Sequence, residues 1–145
     1  MQATCFALAL CLTVCCHAQQ NGKQKIDSLQ RQLATAKGKH QLPVLTALFD
    51  SYKDSAYATA LAYANQYYHI ARAAGDSAGM VEGGRKQAYA LMDLGKNEEA
   101  VKVLGSILDI AERNQWRDPK IKTHIKFILN NAGLAHNHLG NYDKA

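Results

Sequence analysis

Apolar residues recur at steps of three and four along most of the chain, which is the spacing of amphipathic helices. No stretch alternates between apolar and polar residues for long enough to predict a strand. The pattern predicts helices at about 24–37, 43–53, 57–74, 78–94, 98–114 and 119–139. The sequence therefore predicts an all-α fold.

Local signals mark the ends of these helices. Gly75 and Gly95 each follow a periodic segment, where glycine readily takes the left-handed conformation that ends a helix. Asp76 and Asp118 precede helices and have side chains that can accept hydrogen bonds from free backbone N–H groups. We expect Asn97 to cap the helix that follows Gly95 in the same way.

The predicted helix 78–94 contains Gly79, Gly83 and Gly84, and each glycine costs roughly 1 kcal/mol relative to alanine in a helix interior. Two explanations are open at this stage. The glycines allow neighbouring helices to approach closely, or they leave the start of the helix frayed.

One pattern of residues recurs along the chain. Residues 88–104 resemble residues 133–145, so that Gly95 aligns with Gly140 and Ala100 with Ala145, 45 positions later. A weaker copy begins at Tyr57, 40 positions before Asn97. Such periods indicate stacked antiparallel helix pairs that bury their apolar faces against one another, which defines an α-solenoid.

These repeats resemble the tetratricopeptide repeat (TPR), with Val81 and Lys126 as the first positions of two copies. The resemblance rests on small or apolar residues at its signature positions and on two Leu-Gly pairs: Ala88, Leu91, Leu94-Gly95, Ala100, Leu104, Ile107, Gly133, Leu139-Gly140 and Ala145. It implies TPR-like repeats over 41–145, at about 41–80, 81–125 and 126–145, the last of them incomplete. Both periods exceed the usual length of about 34 residues.

A narrower similarity concerns the segments Ile26-Asp-Ser-Leu-Gln-Arg-Gln-Leu and Tyr57-Ala-Thr-Ala-Leu-Ala-Tyr-Ala. They are similar to the extracytoplasmic repeat region of bacterial sensor histidine kinases and related regulators. The similarity implies the N-terminal, partner-binding part of a larger signalling protein, in which more repeats, a membrane helix and an output domain follow. We therefore expect the chain to be a fragment.

The N-terminus has the features of an export signal. Ala3 to Cys16 is uncharged and apolar, and Cys16-His17-Ala18 has the small-x-small pattern of a cleavage site. We predict a signal peptide at 1–18, an N-terminal helix within 19–40, and a periplasmic or other extracytoplasmic bacterial location. Leu12-Thr13-Val14-Cys15 leaves open a lipid anchor instead. All four cysteines lie in this leader, so the mature chain has none.

The chain carries a net charge of +5, which alone would permit nucleic-acid binding. Its lysines are scattered and are not interleaved with aromatic residues. We interpret them as a solvated surface and predict no nucleic-acid partner.

Catalytic and metal-binding motifs are missing from the sequence. His136 and His138 are two residues apart in a predicted helix, so their side chains point about 200° from each other and cannot share a metal ion. No nucleophile elbow, phosphate-binding glycine loop or zinc-protease motif occurs. The prediction is a protein that is not an enzyme and needs no cofactor.

The TPR resemblance implies that the first helix of each pair lines a concave groove that binds a protein or peptide. The positions that match its groove-facing sites are Glu82, Arg85, Tyr89, Met92, Asp93, Phe127, Asn130, Leu134, Asn137 and His138. The sequence thus predicts an exported protein-interaction module. Two alternatives stay open: these are ordinary surface residues of a scaffold, and the chain is a free-standing or lipid-anchored periplasmic protein for envelope assembly.

Overall fold

A computed structural model describes residues 22–114 and 117–141, and this part of the chain is helical with no strand. The helices are α1 (22–35), a 3-10 turn at Gly38–Gln41, α2 (Leu42–Tyr52), α3 (Tyr57–Ala73), α4 (Ser77–Asp93), α5 (Asn97–Arg113) and α6 (Pro119–His138). The predicted all-α fold is confirmed. The predicted signal peptide lies outside the described residues, and so do the last four residues of the third predicted repeat.

Each helix from α2 onward packs against the next one along the chain, and α4 also packs against α6. The connections between α2, α3, α4 and α5 are three or four residues long, so neighbouring helices run in opposite directions. This stacking of adjacent pairs is an α-solenoid, as predicted. The repeat boundaries at about 41–80, 81–125 and 126–145 stay a prediction.

The predicted turn residues act as expected at most helix ends. Gly75, Gly95 and Gly140 have φ values of 64°, 73° and 73°, in the left-handed region that glycine adopts without strain. The side chain of Asp76 accepts a hydrogen bond of 2.9 Å from the N–H of Gly79. Asp118 caps the start of α6 in the same way, and these two caps are confirmed.

The prediction that Asn97 caps α5 is wrong. Asn97 is the first residue inside the helix, and Lys96 occupies the capping position without a side-chain hydrogen bond. The turn at Gly95 brings the N–H of Ala100 onto the carbonyl of Lys96, at 3.0 Å, so the helix begins one residue earlier than expected. The Oδ1 of Asn97 is buried without a partner among the described residues.

The glycines of α4 lie where other helices touch it. A Cβ at Gly79 would be 2.9 Å from the Cβ of Ala71, and one at Gly83 would be 2.9 Å from the ring of Tyr67, both on α3. A Cβ at Gly84 would collide with the side chain of Ile107 on α5. Of the two explanations, the structure supports close helix approach on both sides of α4.

The core is built mainly from the facing sides of α2 to α6. Its fully buried large side chains are Leu45, Leu48, Val81, Leu104, Ile107, Ile121 and Ile128. On α3, the three- and four-residue spacing of Ala60, Ala64, Tyr68 and Ala71 predicts that Tyr68 faces the core. This prediction is wrong, because Tyr67 is buried and Tyr68 is only half-buried. Tyr67 lies on the same side of α3 as Ala60, Ala64 and Ala71, whereas Tyr68 is rotated by about 100° toward another cleft.

Candidate peptide-binding groove

Helices α2, α4 and α6 lie side by side and form one surface of the solenoid. Between α4 and α2, the rings of Tyr89 and Phe49 meet edge to face with centroids 6.3 Å apart. Between α4 and α6, Arg85 lies over the ring of Phe127. These two contacts place α4 in the middle of the surface, with one neighbour on each side.

An ionic cluster lies under this surface. Lys86 on α4 is only 3% exposed, although lysine is almost never buried without a partner. Its Nζ is 2.8 Å from a carboxylate oxygen of Glu82, one helical turn earlier. The Tyr67 hydroxyl donates a hydrogen bond of 2.8 Å to the other oxygen of Glu82. The Nζ also lies 5.5 Å from the ring centre of Phe49 and 5.6 Å from that of Tyr67. Both rings therefore attract the ammonium group through cation–π interactions.

The cluster changes the pKa values of its members. Burial by itself raises the pKa of Glu82, but the hydrogen bond and charge of Lys86 and the hydrogen bond from Tyr67 outweigh it, so this pKa lies below its usual value of 4.5. Burial and the hydrogen bond to Glu82 raise the pKa of Tyr67. Glu82 is therefore a carboxylate and Tyr67 a neutral donor at neutral pH.

A cation–π contact spans the space between α4 and α6. The guanidinium carbon of Arg85 is 5.7 Å from the ring centre of Phe127. The Nε of Arg85 is buried and has no hydrogen-bond partner in the described part of the chain. Phe127 is nevertheless 57% exposed, so most of its ring faces solvent. The pair therefore offers an exposed aromatic side chain beside a guanidinium group to a ligand.

Next to this pair a cavity of about 360 Å³ opens between the first turns of α2, α4 and α6. Polar and charged groups line most of it: Lys39, Tyr67, Asp76, Glu82, Lys120, Thr123 and His124. Burial, and then the positive charge of Arg85, lower the pKa of His124. His124 is therefore a neutral hydrogen-bonding group at neutral pH.

Two carboxylates stand at the opposite end of the surface. The Tyr89 hydroxyl donates a hydrogen bond of 3.4 Å to Asp54, which also pairs with Lys53. Burial, and then the charge of Asp54, raise the pKa of Asp93 beside them. Both ends of the surface thus carry charges of both signs, with Lys39, Asp76, Glu82 and Lys120 around the cavity and Lys53, Asp54 and Asp93 at the other end. We call the whole surface, from the cavity at Glu82 to Asp93, the groove.

The structure brings some of the predicted groove residues together and leaves others apart. Arg85 and Phe127 are in contact, Glu82 lines the cavity, and Tyr89 lies beside Asp93. Met92 is half-buried and packs against the core. The remaining four are exposed on α6: Asn130, Leu134, Asn137 and His138. A binding role for these ten residues stays a prediction.

Sequence reasoning missed three residues of this region, namely Tyr67, Lys86 and His124. A signal for Lys86 existed, because Glu82 and Lys86 have opposite charges at a spacing of four, which places them on one side of a helix. Lys86 also stands among the small residues Gly83, Gly84 and Ala90, which indicate a packed side of α4. No local signal distinguishes Tyr67 from Tyr68.

Within residues 22–114 and 117–141, no three His, Cys, Asp or Glu side chains come close enough together to hold a metal ion. None of the helices described is long and apolar enough to cross a membrane. The residues of the groove present aromatic rings, a guanidinium group and amide groups.

Stacked helix pairs with such a groove define the class of helical-repeat proteins that bind other proteins. The family model described as the SusR N-terminal TPR domain matches residues 17–116, 100 of the 145 in the chain, and the chain belongs to that family. The match extends from α1 to α5, so the predicted tetratricopeptide character is confirmed. Neither the curated proteins nor the solved structures compared with the chain gave a match.

Proposed function

We propose that the groove binds an extended segment of a protein partner, with Arg85 and Phe127 as its centre. The contact between these two side chains carries the proposal, because it joins two helices and still leaves the ring more than half exposed. Aromatic residues and arginine are enriched in protein interfaces, and arginine is also enriched among the residues that contribute most to binding energy. The other predicted residues of α6, Asn130, Leu134 and Asn137, extend the same surface.

The ionic cluster of Glu82, Lys86 and Tyr67 holds part of the groove in a fixed position. Lys86 and Tyr67 hold Glu82 from two directions, so the floor of the cavity is fixed before a ligand arrives. A fixed site loses less conformational entropy on binding than a mobile one. The chain then acts as a binding module and not as an enzyme.

We further propose that the chain is the partner-binding N-terminal part of an exported bacterial signalling protein. Two observations support this: the apolar, uncharged leader with its small-x-small site at Ala18, and a family described as an N-terminal TPR domain. The alternative is a periplasmic scaffold, free or lipid-anchored, for envelope assembly. Both place the groove outside the cytoplasm.

A peptide-display selection tests the groove. Peptides selected from a random library on the 145-residue chain would be titrated against the wild type, Phe127→Ala and Tyr89→Ala. We expect each substitution to weaken binding by roughly tenfold or more, since aromatic anchors contribute about 1–2 kcal/mol or more. Leu129→Ala is the matched control, because Leu129 is 56% exposed on the same helix but points away from Phe127.

Circular dichroism would show that all three variants keep the helical content of the wild type. Equal affinities for Phe127→Ala and wild type would contradict the groove assignment. A loss confined to Leu129→Ala would move the binding surface to the opposite side of α6.

A further inference from the structure

A second cleft lies on the other side of α4, between the C-terminal ends of α3 and α5. Its volume is about 660 Å³, and its walls include Tyr68, Arg72, Met80, Ile110 and Arg113. Met80 lines this cleft whereas Glu82 lines the cavity of the groove, and residues two apart on a helix point about 200° from each other. A ligand in one of them therefore leaves the other free.

The cleft has two cationic groups and no carboxylate in its lining. Arg72 belongs to the last turn of α3 and Arg113 to the last turn of α5. Within the described residues, neither guanidinium forms an ion pair with a carboxylate, whereas Lys39, Lys53, Lys86 and Lys96 each do. The Arg113 Nε donates only to the backbone carbonyl of Asp109, at 3.2 Å. Both guanidinium groups thus keep donors for an anionic ligand.

The rest of the lining indicates what the anion is attached to. Met80 and Ile110 give the cleft an apolar part, and both are half-buried members of core clusters, so their positions are fixed by packing. Tyr68 adds an aromatic wall, and Ser77 adds a hydroxyl group. A site with two guanidinium groups around an apolar centre fits a carboxylate that lies next to an apolar side chain.

We propose that this cleft binds an acidic segment of a protein partner. Arg72 and Arg113 pair with its carboxylates, and Met80 and Ile110 take the apolar side chain beside them. The segment is recognised by charge complementarity, since the chain carries a net charge of +5 and the lining of the cleft is entirely neutral or cationic. This surface is additional to the groove and does not depend on it.

The test is an NMR titration of the ¹⁵N-labelled 145-residue chain with a synthetic peptide of alternating Glu and Leu. We expect shifts in the amide signals of Ser77, Met80 and Asn114, and none with a Gln-Leu peptide of the same length. Arg72→Glu with Arg113→Glu should weaken binding by about tenfold or more, since each partly exposed ion pair contributes up to about fivefold. Arg72→Lys with Arg113→Lys should weaken it less, because the charge is kept and only the forked geometry is lost.

The control is Lys102→Glu with Lys122→Glu, which makes the same change in net charge at exposed positions outside the cleft. An equal loss of binding in this control would show that the net charge of the chain, and not the cleft, determines the affinity for the peptide, and it would overturn the proposal. Shifts centred on His124 and Phe127 would assign the acidic segment to the groove and overturn it as well. So would the absence of any shift at millimolar peptide concentration.

Discussion

Helices α4 and α6 align in sequence with an offset of 45 residues, but their surroundings differ. α4 packs against α3 on one side and α5 on the other, and most of its small residues are buried. α6 packs against α4 and α5, and Phe127, Leu129 and Leu134 are exposed on its surface. The comparison shows that a solenoid helix is buried by its neighbours as much as by its own sequence.

Residue choice follows this difference at aligned positions. Gly84 on α4, where Ile107 leaves no room for a side chain, aligns with the exposed Leu129 on α6. Glu82, held in the ionic cluster, aligns with Phe127, whose ring is more than half exposed. Two packed sides of α4 thus correspond to two exposed sides of α6, and we call the side that bears Leu129 its open face.

The largest expected effect comes from truncating a leucine in the core between α4, α5 and α6. Leu104 of α5 is fully buried in the cluster that joins α4, α5 and α6, so Leu104→Ala should lower the free energy of unfolding by roughly 2–5 kcal/mol. Leu129→Ala, on the open face of α6, should change it by no more than about 0.5 kcal/mol. Urea unfolding followed by circular dichroism measures both.

A large loss in Leu129→Ala would show that something covers the open face in solution. Repeating the unfolding at several protein concentrations then identifies a second copy of the chain, since self-association makes the midpoint depend on concentration.

The second prediction concerns Gly84 of α4, which is replaced by leucine, the residue at the aligned position 129 of α6. Gly84→Leu puts a side chain where even a Cβ collides with Ile107, and overpacking of this kind should destabilise the fold by about 1–3 kcal/mol. Gly105→Leu is the matched control. A Cβ at Gly105 meets nothing within 4 Å, so this change should stabilise α5 by up to about 1 kcal/mol through helix propensity.

A double-mutant cycle tests the cause of the effect. Combining Gly84→Leu with Ile107→Ala should cost less than the sum of the two single changes, because the shortened side chain leaves space for the leucine. Additive losses would mean that Ile107 is not what excludes a side chain at this position.

Most of the fold could be predicted because its signals are local. Gly75, Gly95, Asp76 and Asp118 set helix ends through their own backbone or side-chain preferences, and the predicted bounds of α2 to α6 agree with the structure to within one or two residues. The prediction that Asn97 caps α5 was wrong for a reason that is also local, since the turn at Gly95 starts the helix one residue earlier.

The site was predictable only in part, because its contacts join residues that are far apart in sequence. The TPR resemblance places Arg85 and Phe127 on the same surface, but their contact depends on how α4 and α6 cross. The same holds for Tyr67, which reaches Glu82 from another helix. Helical periodicity selects a side of α3 only to within about 100°, so it could not choose between Tyr67 and Tyr68.

The smallest expected effect concerns the ionic cluster of α4, which α6 lacks because Phe127 and Asn131 align with Glu82 and Lys86. The pKa of Glu82 is lowered in the folded state, so the unfolded chain binds a proton more readily at this site. The stabilisation is therefore complete above about pH 4.5, the usual value for glutamate, and is lost as the pH falls through the folded pKa. Glu82→Gln should cost about 1–2 kcal/mol at pH 7, because Lys86 loses its charged partner but can still donate a hydrogen bond to the amide oxygen at this partly exposed site.

The difference in unfolding free energy between wild type and Glu82→Gln should shrink as the pH falls below about 4.5, and urea titrations between about pH 3 and 7 measure it. Asp27→Asn removes an exposed carboxylate from α1, away from the first turn of that helix, and serves as the control for lost charge alone. Parallel stability curves for wild type and Glu82→Gln across this range would show that the fold draws no stability from the ionised carboxylate. In that case the contacts of Lys86 with the rings of Phe49 and Tyr67 would be what stabilises its buried charge.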